Sequence, residues 1–558
     1  MKKPQNEWLV LKHSIAQALG VNSSTVDEPN KEGFGDFSFP CFNIAKAENR
    51  NPKEIAEVSA GEMKALPEIS EVKAMGPYVN FFVDWDRLGT RVLKNFHMNF
   101  GGGFEKGKFL IEHTSINPNS SPHVGRARNA IIADSLTQLL KFSGKKIETH
   151  YFVNDVGKQI ALLVWAAQKK KGKLKFTDVL DLYIAANKEM ESNKEIEKEI
   201  FELLAKFESG DKKTISHFKK IVKLCVEGQK KILKELGVEF DLFDFESAWL
   251  GKKTNDILKK LEKTGKLFTD KDKRKVLDLK GTEGLGESTF LVLTRADGTS
   301  LYPLRDLAYN IYKAEKSKGN NILVLGEDQK LYFQQISAAL KLLGIEPPKV
   351  LHYSFVLLPG GGKMSTRQGN VVLLEDFMKE VYGKASEEIK KRWPEISEKE
   401  MRERARKIGN AAVRYGMLKV SPEKNVLFNL EEAVRFEGDT GPYLLYTFAR
   451  ANSILEKAGK WKDSEFYEFE KPEEKNLMKK IAQFPSVVER ASADLRPHLV
   501  ATFAGELAEA FNKFYEACHV INAENEILKA SRLKLVWAAK IVLRNCTKII
   551  GIEVLERM

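Results

Sequence analysis

The chain has 558 residues, of which 43% are hydrophobic, so it is long enough for several domains with their own cores. Lysine and arginine exceed aspartate and glutamate by 13, a balance that favours a polyanionic partner, although many basic proteins bind no nucleic acid. The four cysteines are scattered without a C-x-x-C pair, which argues against a zinc ribbon or a disulfide scaffold. The N-terminus has no apolar signal core, and the chain has no apolar run of about 18 residues. We therefore expect a cytoplasmic protein that does not contact a membrane.

Residues 1–100 are predicted to form a small α/β module. Apolar residues recur at helical spacing over residues 8–19 and predict an amphipathic helix that Gly20 ends. Apolar and polar residues alternate over residues 33–39, and residues 78–83 are a short apolar run, both typical of strands. The module is therefore expected to mix helices with a small sheet.

Residues 101–420 are predicted to hold a parallel nucleotide-binding sheet. The three glycines at 101–103 indicate a hinge into this region. Residues 109–111 indicate a buried strand, residues 131–140 a helix and residues 147–153 the next strand. This order is a βαβ unit, which is typical of a Rossmann-type fold.

The rest of the chain is predicted to be largely helical. Residues from about 166 to 285 are rich in lysine and glutamate with helical periodicity, and they indicate a helical insertion. From about residue 421 to residue 558 nearly every segment is an amphipathic helix, which predicts an all-α C-terminal domain. Sheet-type segments resume between the two, at residues 290–293, 322–325 and 350–358. The predicted fold is α/β, with a small N-terminal α/β domain and an all-α C-terminal domain.

A first motif, HVGR, stands at the start of the predicted helix after a proline-framed loop. A helix N-terminus offers free N–H groups and a partial positive charge, which suit phosphates. His123 can donate to phosphate oxygens, Gly125 allows a nucleotide close to the backbone, and Arg126 is a permanent cation. Taken alone, His123 is better interpreted as an ordinary surface histidine.

A second motif follows a predicted strand some 240 residues later, where residues 360–370 are GGGKMSTRQGN. A glycine-hinged loop with two cations and two hydroxyls can close over a triphosphate and stabilise charge on a departing pyrophosphate. The residues that carry this chemistry are Lys363, Met364, Ser365 and Arg367. On its own the segment would be interpreted as a solvated basic turn.

In this order the two motifs resemble the HIGH and KMSKS signatures of class I aminoacyl-tRNA synthetases. Within that class the chain resembles arginyl-tRNA synthetases over nearly its whole length. The family's specific blocks are matched by residues 112–118 (EHTSINP), 297–309 (DGTSLYPLRDLAY), 436–446 (FEGDTGPYLLY) and 494–498 (DLRPH). Two positions depart from the signatures: Arg126 replaces the second histidine, and Thr366 replaces the second lysine.

The resemblance implies a set of arginine-binding residues, and their chemistry agrees with that role. A guanidinium needs a carboxylate that accepts two parallel hydrogen bonds, as Asp306 can, and a substrate ammonium needs oxygen acceptors. A surface ion pair between Asp306 and Arg305 or a nearby lysine is the alternative, and Asp328 could replace the glutamine. The implied residues are Glu112, Ser115, Asn117, Tyr302, Asp306 and Gln329.

The resemblance also implies contacts with tRNA at both ends of the chain. Tyr443 and Tyr446 are candidates to stack on anticodon bases, and Phe34 and Phe37 resemble the family's module that contacts the tRNA elbow. Each of these aromatic residues could instead belong to a hydrophobic core.

The implied activity is ATP-dependent formation of arginyl-adenylate, followed by transfer of arginine to the terminal adenosine of tRNA-Arg. Mg²⁺ would travel with ATP; we expect no tightly bound cofactor and no metal site in the protein, and we expect a monomer. A class I synthetase for cysteine or glutamate is one alternative, but no zinc thiolate site is indicated and Asp306 has the wrong charge for glutamate. A noncatalytic RNA-binding relative is the other, and the retention of both motifs argues against it.

Overall fold

The structure is a computed structural model that describes residues 6–29, 33–63, 66–357 and 372–558. The strands in these ranges are β1 (Phe37–Pro40), β2 (Ile69–Met75), β3 (Tyr78–Val83), β4 (Lys108–Glu112), β5 (Lys146–Val153), β6 (Leu242–Phe245), β7 (Leu267–Thr269), β8 (Lys275–Asp278), β9 (Phe290–Val292), β10 (Asn321–Gly326), β11 (Lys349–Tyr353), β12 (Val356–Leu357) and β13 (Val426–Leu427). The helices are α1 (Glu7–Leu19), α2 (Phe42–Glu48), α3 (Pro52–Gly61), α4 (Trp85–Lys94), α5 (Val124–Ser143), α6 (Lys158–Lys169), α7 (Val179–Ser192), α8 (Lys194–Glu208), α9 (Lys212–Glu235), α10 (Lys252–Glu262), α11 (Tyr302–Ser317), α12 (Lys330–Leu342), α13 (Leu374–Arg392), α14 (Glu398–Leu418), α15 (Leu430–Ala433), α16 (Gly441–Ala458), α17 (Pro472–Ala493), α18 (His498–Ala517) and α19 (Glu526–Ile550).

The N-terminal elements form a small antiparallel sheet in the order β1-β3-β2, packed against helices. Helix α1 ends where Gly20 takes the left-handed conformation, as its sequence predicts. The side chains of Trp8 and Phe37 are fully buried and stack with ring centroids 4.3 Å apart. The predicted α/β module is confirmed, and β2 is a strand that the sequence did not indicate.

The central sheet of the described residues is parallel, in the order β11-β10-β4-β5-β6. Helix α5 connects β4 to β5 and is almost entirely buried, in keeping with its many alanine, isoleucine and leucine residues. The chain leaves β4 on one side and returns to its other side through β10, so the strand order changes direction between these two strands. This is the Rossmann-type arrangement that the βαβ pattern predicts.

The region predicted as a helical insertion is more varied than its composition suggests. Helices α6 to α9 do connect β5 to β6, but β6 lies within residues 166–285 and is an edge strand of the central sheet. Strands β7, β8 and β9 form a separate antiparallel sheet, so residues 290–293 do not continue the central one. Strands of three or four residues between lysine-rich helices carry too little periodicity to be recognised.

The C-terminal helices pack directly on the central domain. Ser135 on α5 donates to the carbonyl of Ile549 on α19 at 3.0 Å. The fully buried Arg414 on α14 donates to the carbonyl of Ile550 at 2.9 Å and forms an ion pair with Asp134 on α5. The domain boundary expected near residue 420 stays a prediction, because β13 beyond it still pairs with β12.

The glycines at 101–103, predicted to be a hinge, lie close to packed neighbours, and the hinge stays a prediction. Gly101 has a φ of 82° and lies against α17, where an added Cβ would come within 2.7 Å of the Phe484 ring. A Cβ on Gly102 would come within 2.8 Å of the Phe142 carbonyl oxygen. Glycine is required at 101 and 102 by these close neighbours and at 101 and 103 by a positive φ, which is 77° at Gly103.

The predicted fold class is confirmed, with a Rossmann-type sheet, an N-terminal α/β module and a helical C-terminal domain. Within the described ranges, no helix is long and apolar enough to cross a membrane.

Candidate active site

A cavity of 650 Å³ lies at the carboxyl ends of β4, β5, β6 and β10. Its walls include Glu112 at the end of β4, Asn154 after β5, Glu246 after β6 and Gly326 at the end of β10. Ligands of open parallel sheets bind at this edge, where the strand order changes direction. The cavity is therefore the candidate active site.

The first motif lies at the start of α5. His123 is the residue that precedes the helix, and its Nδ1 has no hydrogen-bond partner among the described residues. Burial lowers the pKa of His123 to about 4, so the imidazole is neutral near pH 7 and can donate one N–H. A Cβ on Gly125 would come within 3.0 Å of the His123 ring, so glycine leaves room for that ring. Arg126 lines the cavity.

The second motif, with Lys363, Met364, Ser365 and Arg367, lies outside the described residues. The chain just after it is fixed to the first motif: Val124 N donates to Val372 O at 3.1 Å, and Leu374 N donates to Pro122 O at 2.8 Å. The chain just before it, β12, pairs with β13. The segment that follows the second motif is therefore hydrogen-bonded to the start of the first motif, although the two are far apart in sequence.

Two buried ion pairs form part of the cavity and its surroundings. Glu246 accepts a hydrogen bond from Nε of Arg305 at 2.5 Å, and both side chains are almost completely buried. Glu112 forms an ion pair with Lys313, which is fully buried on α11. Each of these carboxylates therefore already has a cation from the protein.

Asp306, one turn into α11, has no such cation among the described residues. It is 7% exposed and accepts hydrogen bonds from Tyr332 at 2.9 Å and from Asn310 at 2.8 Å. Burial raises the pKa of Asp306 to about 7, and the nearby Lys313 opposes this rise only in part. The alternative of an ion pair with Arg305 is wrong, because that guanidinium is bonded to Glu246 and to Ser300.

The segment after β4 holds a strained backbone at the cavity wall. Thr114 and Ser115 have φ values of 70° and 40°, a region that residues with a Cβ rarely adopt. The conformation is fixed by hydrogen bonds from Thr114 N to Asn129 Oδ1 at 2.9 Å and from Phe152 N to Ser115 Oγ at 3.2 Å. Ser115, predicted to bind arginine, thereby faces the cavity.

The remaining predicted arginine-binding residues line the cavity, whereas Asp306 is joined to it through the hydrogen bond from the lining residue Tyr332. Asn117 donates to Gln159 at 3.0 Å, and Tyr302 stands at the start of α11 with its ring 5.7 Å from that of Tyr332. Gln329 and Asp328 both line the wall, so the choice between them stays open. The structure brings the predicted set together, and its role in binding arginine stays a prediction.

Several residues in or next to the cavity were missed from the sequence. Glu246 directly follows β6, and recognising that strand would have placed its carboxylate at the ligand-binding edge. Tyr332 and Lys313 contact Asp306 and Glu112 from positions that only the fold brings together. Arg295 also lines the cavity and pairs with Glu208 at 3.6 Å.

The candidate anticodon residues form a cluster on α16 and α18. Tyr443 accepts a hydrogen bond from Asn512 at 2.9 Å, and Tyr446 accepts one from Arg450 at 2.8 Å. The Arg450 guanidinium lies 4.6 Å from the Tyr446 ring centroid and 4.4 Å from that of Tyr515, which is 43% exposed. Tyr443 and Tyr446 are half-buried, so each has a face in the core and a part that solvent reaches.

The two candidate phenylalanines of the N-terminal module differ in solvent exposure. Phe34 is 36% exposed and stays a candidate for contact with RNA. Phe37 is fully buried against Trp8, so the prediction that it contacts RNA is wrong and it is a core residue. Phe37 is on β1, whose first three residues are all buried, whereas Phe34 precedes the strand.

The geometry agrees with comparisons with known proteins. Residues 94–430 match the family model described as tRNA synthetases class I (R), catalytic domain. Residues 444–558 match the DALR anticodon binding domain, and residues 10–83 match the arginyl tRNA synthetase N terminal domain. The parallel sheet, the cavity at its carboxyl edge and the catalytic-domain match define a class I aminoacyl-tRNA synthetase.

Comparison with relatives and solved structures identifies the family within this class. The chain is 41% identical to the arginine–tRNA ligase of Methanosarcina mazei, with 98% of each chain covered. It is 37% identical to that of Methanocaldococcus jannaschii, with 95% of each covered. The arginyl-tRNA synthetase structure of Thermus thermophilus superposes with a TM-score of 0.82 at 26% identity over the full length of both chains. The chain belongs to the arginyl-tRNA synthetase family.

Proposed function

We propose that the protein attaches arginine to tRNA-Arg in two steps. The carboxylate of arginine attacks the α-phosphorus of ATP, and the bond to the β-phosphate breaks to release pyrophosphate. The 2′-hydroxyl of the terminal adenosine then attacks the carbonyl carbon of arginyl-adenylate, AMP leaves, and the hydroxyl proton is lost. The reaction needs positioning and charge stabilisation rather than a covalent enzyme intermediate.

The charge of the arginine pocket carries this proposal. Of three neighbouring carboxylates, Glu112 and Glu246 are paired with Lys313 and Arg305, while Asp306 has only neutral partners. A buried, uncompensated carboxylate is costly unless a cation pairs with it. A guanidinium supplies that cation and two parallel N–H donors. A glutamate side chain in the same place would be repelled.

ATP is proposed to bind where the first motif and the flank of the second meet. Neutral His123 can donate to a phosphate oxygen, and Arg126 is a permanent cation in the cavity wall. By resemblance to the family, Lys363 and Ser365 would contact the departing pyrophosphate. Mg²⁺ enters as part of the ATP substrate, and we propose no tightly bound cofactor.

The tRNA is proposed to bind across the C-terminal helices, with Tyr446, Arg450 and Tyr515 meeting unpaired anticodon bases. Stacking of bases on tyrosine and on guanidinium planes is a common means of recognising single-stranded RNA. We propose a cytoplasmic monomer as the working form. Light scattering on the purified protein would test the monomer.

Calorimetric titration with arginine and with citrulline tests the pocket. Citrulline has nearly the shape of arginine but a neutral ureido group, so it removes the charge and replaces one NH2 donor by an acceptor oxygen. We expect citrulline to bind at least about 30-fold more weakly, the lower bound for losing one member of a desolvated charge pair. Equal binding of the two would contradict the role of Asp306.

A second experiment separates an enzyme from a noncatalytic RNA-binding relative. A noncatalytic relative would bind tRNA without exchanging pyrophosphate into ATP.

A further inference from the structure

A buried histidine lies on β5, the strand that pairs with β4. His150 is fully buried, and each of its ring nitrogens contacts a carboxylate. Its Nδ1 lies 2.5 Å from an oxygen of Asp244 on β6, and its Nε2 lies 2.7 Å from an oxygen of Glu148 on β5. An ionised carboxylate only accepts hydrogen bonds, so both ring nitrogens must donate, and only the imidazolium has two N–H groups. His150 is therefore a buried cation between two carboxylates.

Both carboxylates are ionised near pH 7, as this arrangement requires. Burial raises the pKa of Glu148, but hydrogen bonds from Lys316 and His150 outweigh burial and lower that pKa to about 2. Burial also opposes ionisation of Asp244, and hydrogen bonds from His150 and Tyr309 lower its pKa. The histidine thus shares each carboxylate with one residue of α11.

The same two carboxylates anchor α11 to the sheet. Tyr309 is fully buried and donates to Asp244 at 2.8 Å. Lys316 forms an ion pair with Glu148. The five residues joined by these hydrogen bonds form what we name the His150 network: His150, Glu148, Asp244, Tyr309 and Lys316.

The network is connected to predicted arginine-binding residues on two elements. Helix α11 begins at Tyr302 and carries Asp306 one turn before Tyr309. On the sheet, His150 is paired in register with Glu112 of β4. A shift of α11 relative to β5 would therefore move these residues relative to one another.

The charge of His150 matters most to one of the two carboxylates. Glu148 also pairs with Lys316 and, at 3.4 Å, with Lys108. Asp244, by contrast, pairs with no cation except His150 among the described residues. Its side chain is only 15% exposed, so an unpaired charge there would be costly. Without the imidazolium, Asp244 would turn toward solvent or take up a proton, and α11 would lose a fixed hydrogen-bond acceptor.

We propose that the His150 imidazolium is a positioning residue for arginine: it fixes Asp244, and Asp244 holds α11 so that Asp306 meets the guanidinium. His150 acts through these neighbours and does not touch the substrate. This inference rests on the proposed function, which assigns arginine to the cavity beside α11. The alternative is an ion pair that only stabilises the fold.

The substitution His150→Gln removes the charge and keeps one hydrogen-bond donor. The new amide can donate to Glu148, but its oxygen then faces the Asp244 carboxylate, and two acceptors repel. Calorimetric titration should show arginine binding weakened by about 10-fold to 100-fold, the loss typical when a residue that orients a binding group is removed. The Kd for ATP should stay nearly unchanged. His217→Gln is the control, because the His217 ring is hydrogen-bonded to the neutral amide of Gln168 at 2.7 Å.

A second substitution should rescue the first. In the double variant His150→Gln, Asp244→Asn, the asparagine amide can donate to the glutamine oxygen, and its own oxygen can still accept from Tyr309. Each group then has a partner without a charge, so arginine binding should recover most of the loss. A folded double variant that binds arginine no better than His150→Gln would refute the role of the charge. Tyr309→Phe removes only the hydroxyl and should weaken arginine binding even if His150→Gln does not fold.

Nitrogen-15 NMR of histidine-labelled protein tests the premise without substrate. The ring signals that disappear in His150→Gln should show a proton on each nitrogen in the unaltered protein. A single protonated nitrogen, or unchanged arginine binding in folded His150→Gln and in Tyr309→Phe, would overturn the proposal. A lower free energy of unfolding with unchanged arginine binding would identify an ion pair that only stabilises the fold. If arginine binding depends on His150 but the protein charges no tRNA, the proposed function fails while this inference stands.

Discussion

Replacement of Asp306 by asparagine is expected to weaken arginine binding strongly. The change preserves size but leaves one acceptor oxygen and no charge for the guanidinium. Asp306 is only 7% exposed, so its pair with the guanidinium would be desolvated. Loss of such a pair costs about 2–5 kcal/mol of binding free energy. Loss of a surface pair would cost less than about 1 kcal/mol. This corresponds to a loss of about 30-fold to a few thousandfold in kcat/KM for arginine.

The same substitution is expected to stabilise the protein when arginine is absent. Burial raises the pKa of Asp306 from 3.8 to about 7, so at pH 8 the free protein holds a buried charge that the unfolded chain exposes to water. A carboxyl whose folded pKa is raised destabilises the folded state fully above pH 7, and this destabilisation disappears as pH falls from about 7 to about 4. Asparagine removes this destabilisation, so Asp306→Asn should raise the free energy of unfolding by up to about 4 kcal/mol at pH 8.

Steady-state kinetics and urea unfolding at pH 8 measure the two effects of Asp306→Asn. The loss should appear mainly in the KM for arginine, with the KM values for ATP and tRNA nearly unchanged. Asp297→Asn is the matched control, since Asp297 lies in an exposed turn where asparagine can accept the same hydrogen bonds from Thr299. A loss below about threefold in kcat/KM, or a less stable variant at pH 8, would refute the argument from the unpaired carboxylate.

Further predictions concern pH, phosphate binding and stability. The KM for arginine should rise about tenfold per pH unit below about pH 7, because Asp306 then holds a proton, and Asp306→Asn should abolish this dependence; a flat pH profile in the unaltered protein would contradict it. Arg126→His should stay active and Arg126→Glu should lose ATP binding, because a carboxylate repels the triphosphate; normal ATP affinity in Arg126→Glu would remove this helix start from the phosphate site. Arg414→Ala should lower the free energy of unfolding by about 3–5 kcal/mol, because Asp134 is left buried without a cation. Arg406→Ala breaks an exposed ion pair with Glu553 and should lower the free energy of unfolding by less than about 1 kcal/mol. Urea titration of both variants measures the difference.

The long periodic elements of the fold could be predicted from sequence because local patterns specify them. Helix α1 ends at Gly20, α5 begins directly after His123, and β3 covers the predicted residues 78–83. Each has either enough turns to show its period or a glycine or proline at its boundary. The cavity-lining residues at the end of β4 and the start of α11 followed from the resemblance to the family.

The remaining features depend on contacts between distant parts of the chain. Glu112 and Lys313 are 201 residues apart, and no local pattern relates them. The four residues of β6 are too few to show a period, so Glu246 was missed. Gly101 has the same sequence context as a flexible hinge, and only the Phe484 ring beside it reveals a packing role. Phe37 is likewise buried because β1 places it against Trp8, a contact that no local pattern reveals.

The most direct test of the account is aminoacylation by the purified chain. The protein is incubated with Mg²⁺-ATP, deacylated tRNA-Arg and radiolabelled arginine, and the label that precipitates with RNA in acid is counted. We predict that arginine accumulates on the tRNA, that omission of ATP abolishes the signal, and that labelled lysine, glutamate and cysteine give none. Absence of labelled tRNA from folded protein, or equal labelling by one of those three amino acids, would contradict the proposed function.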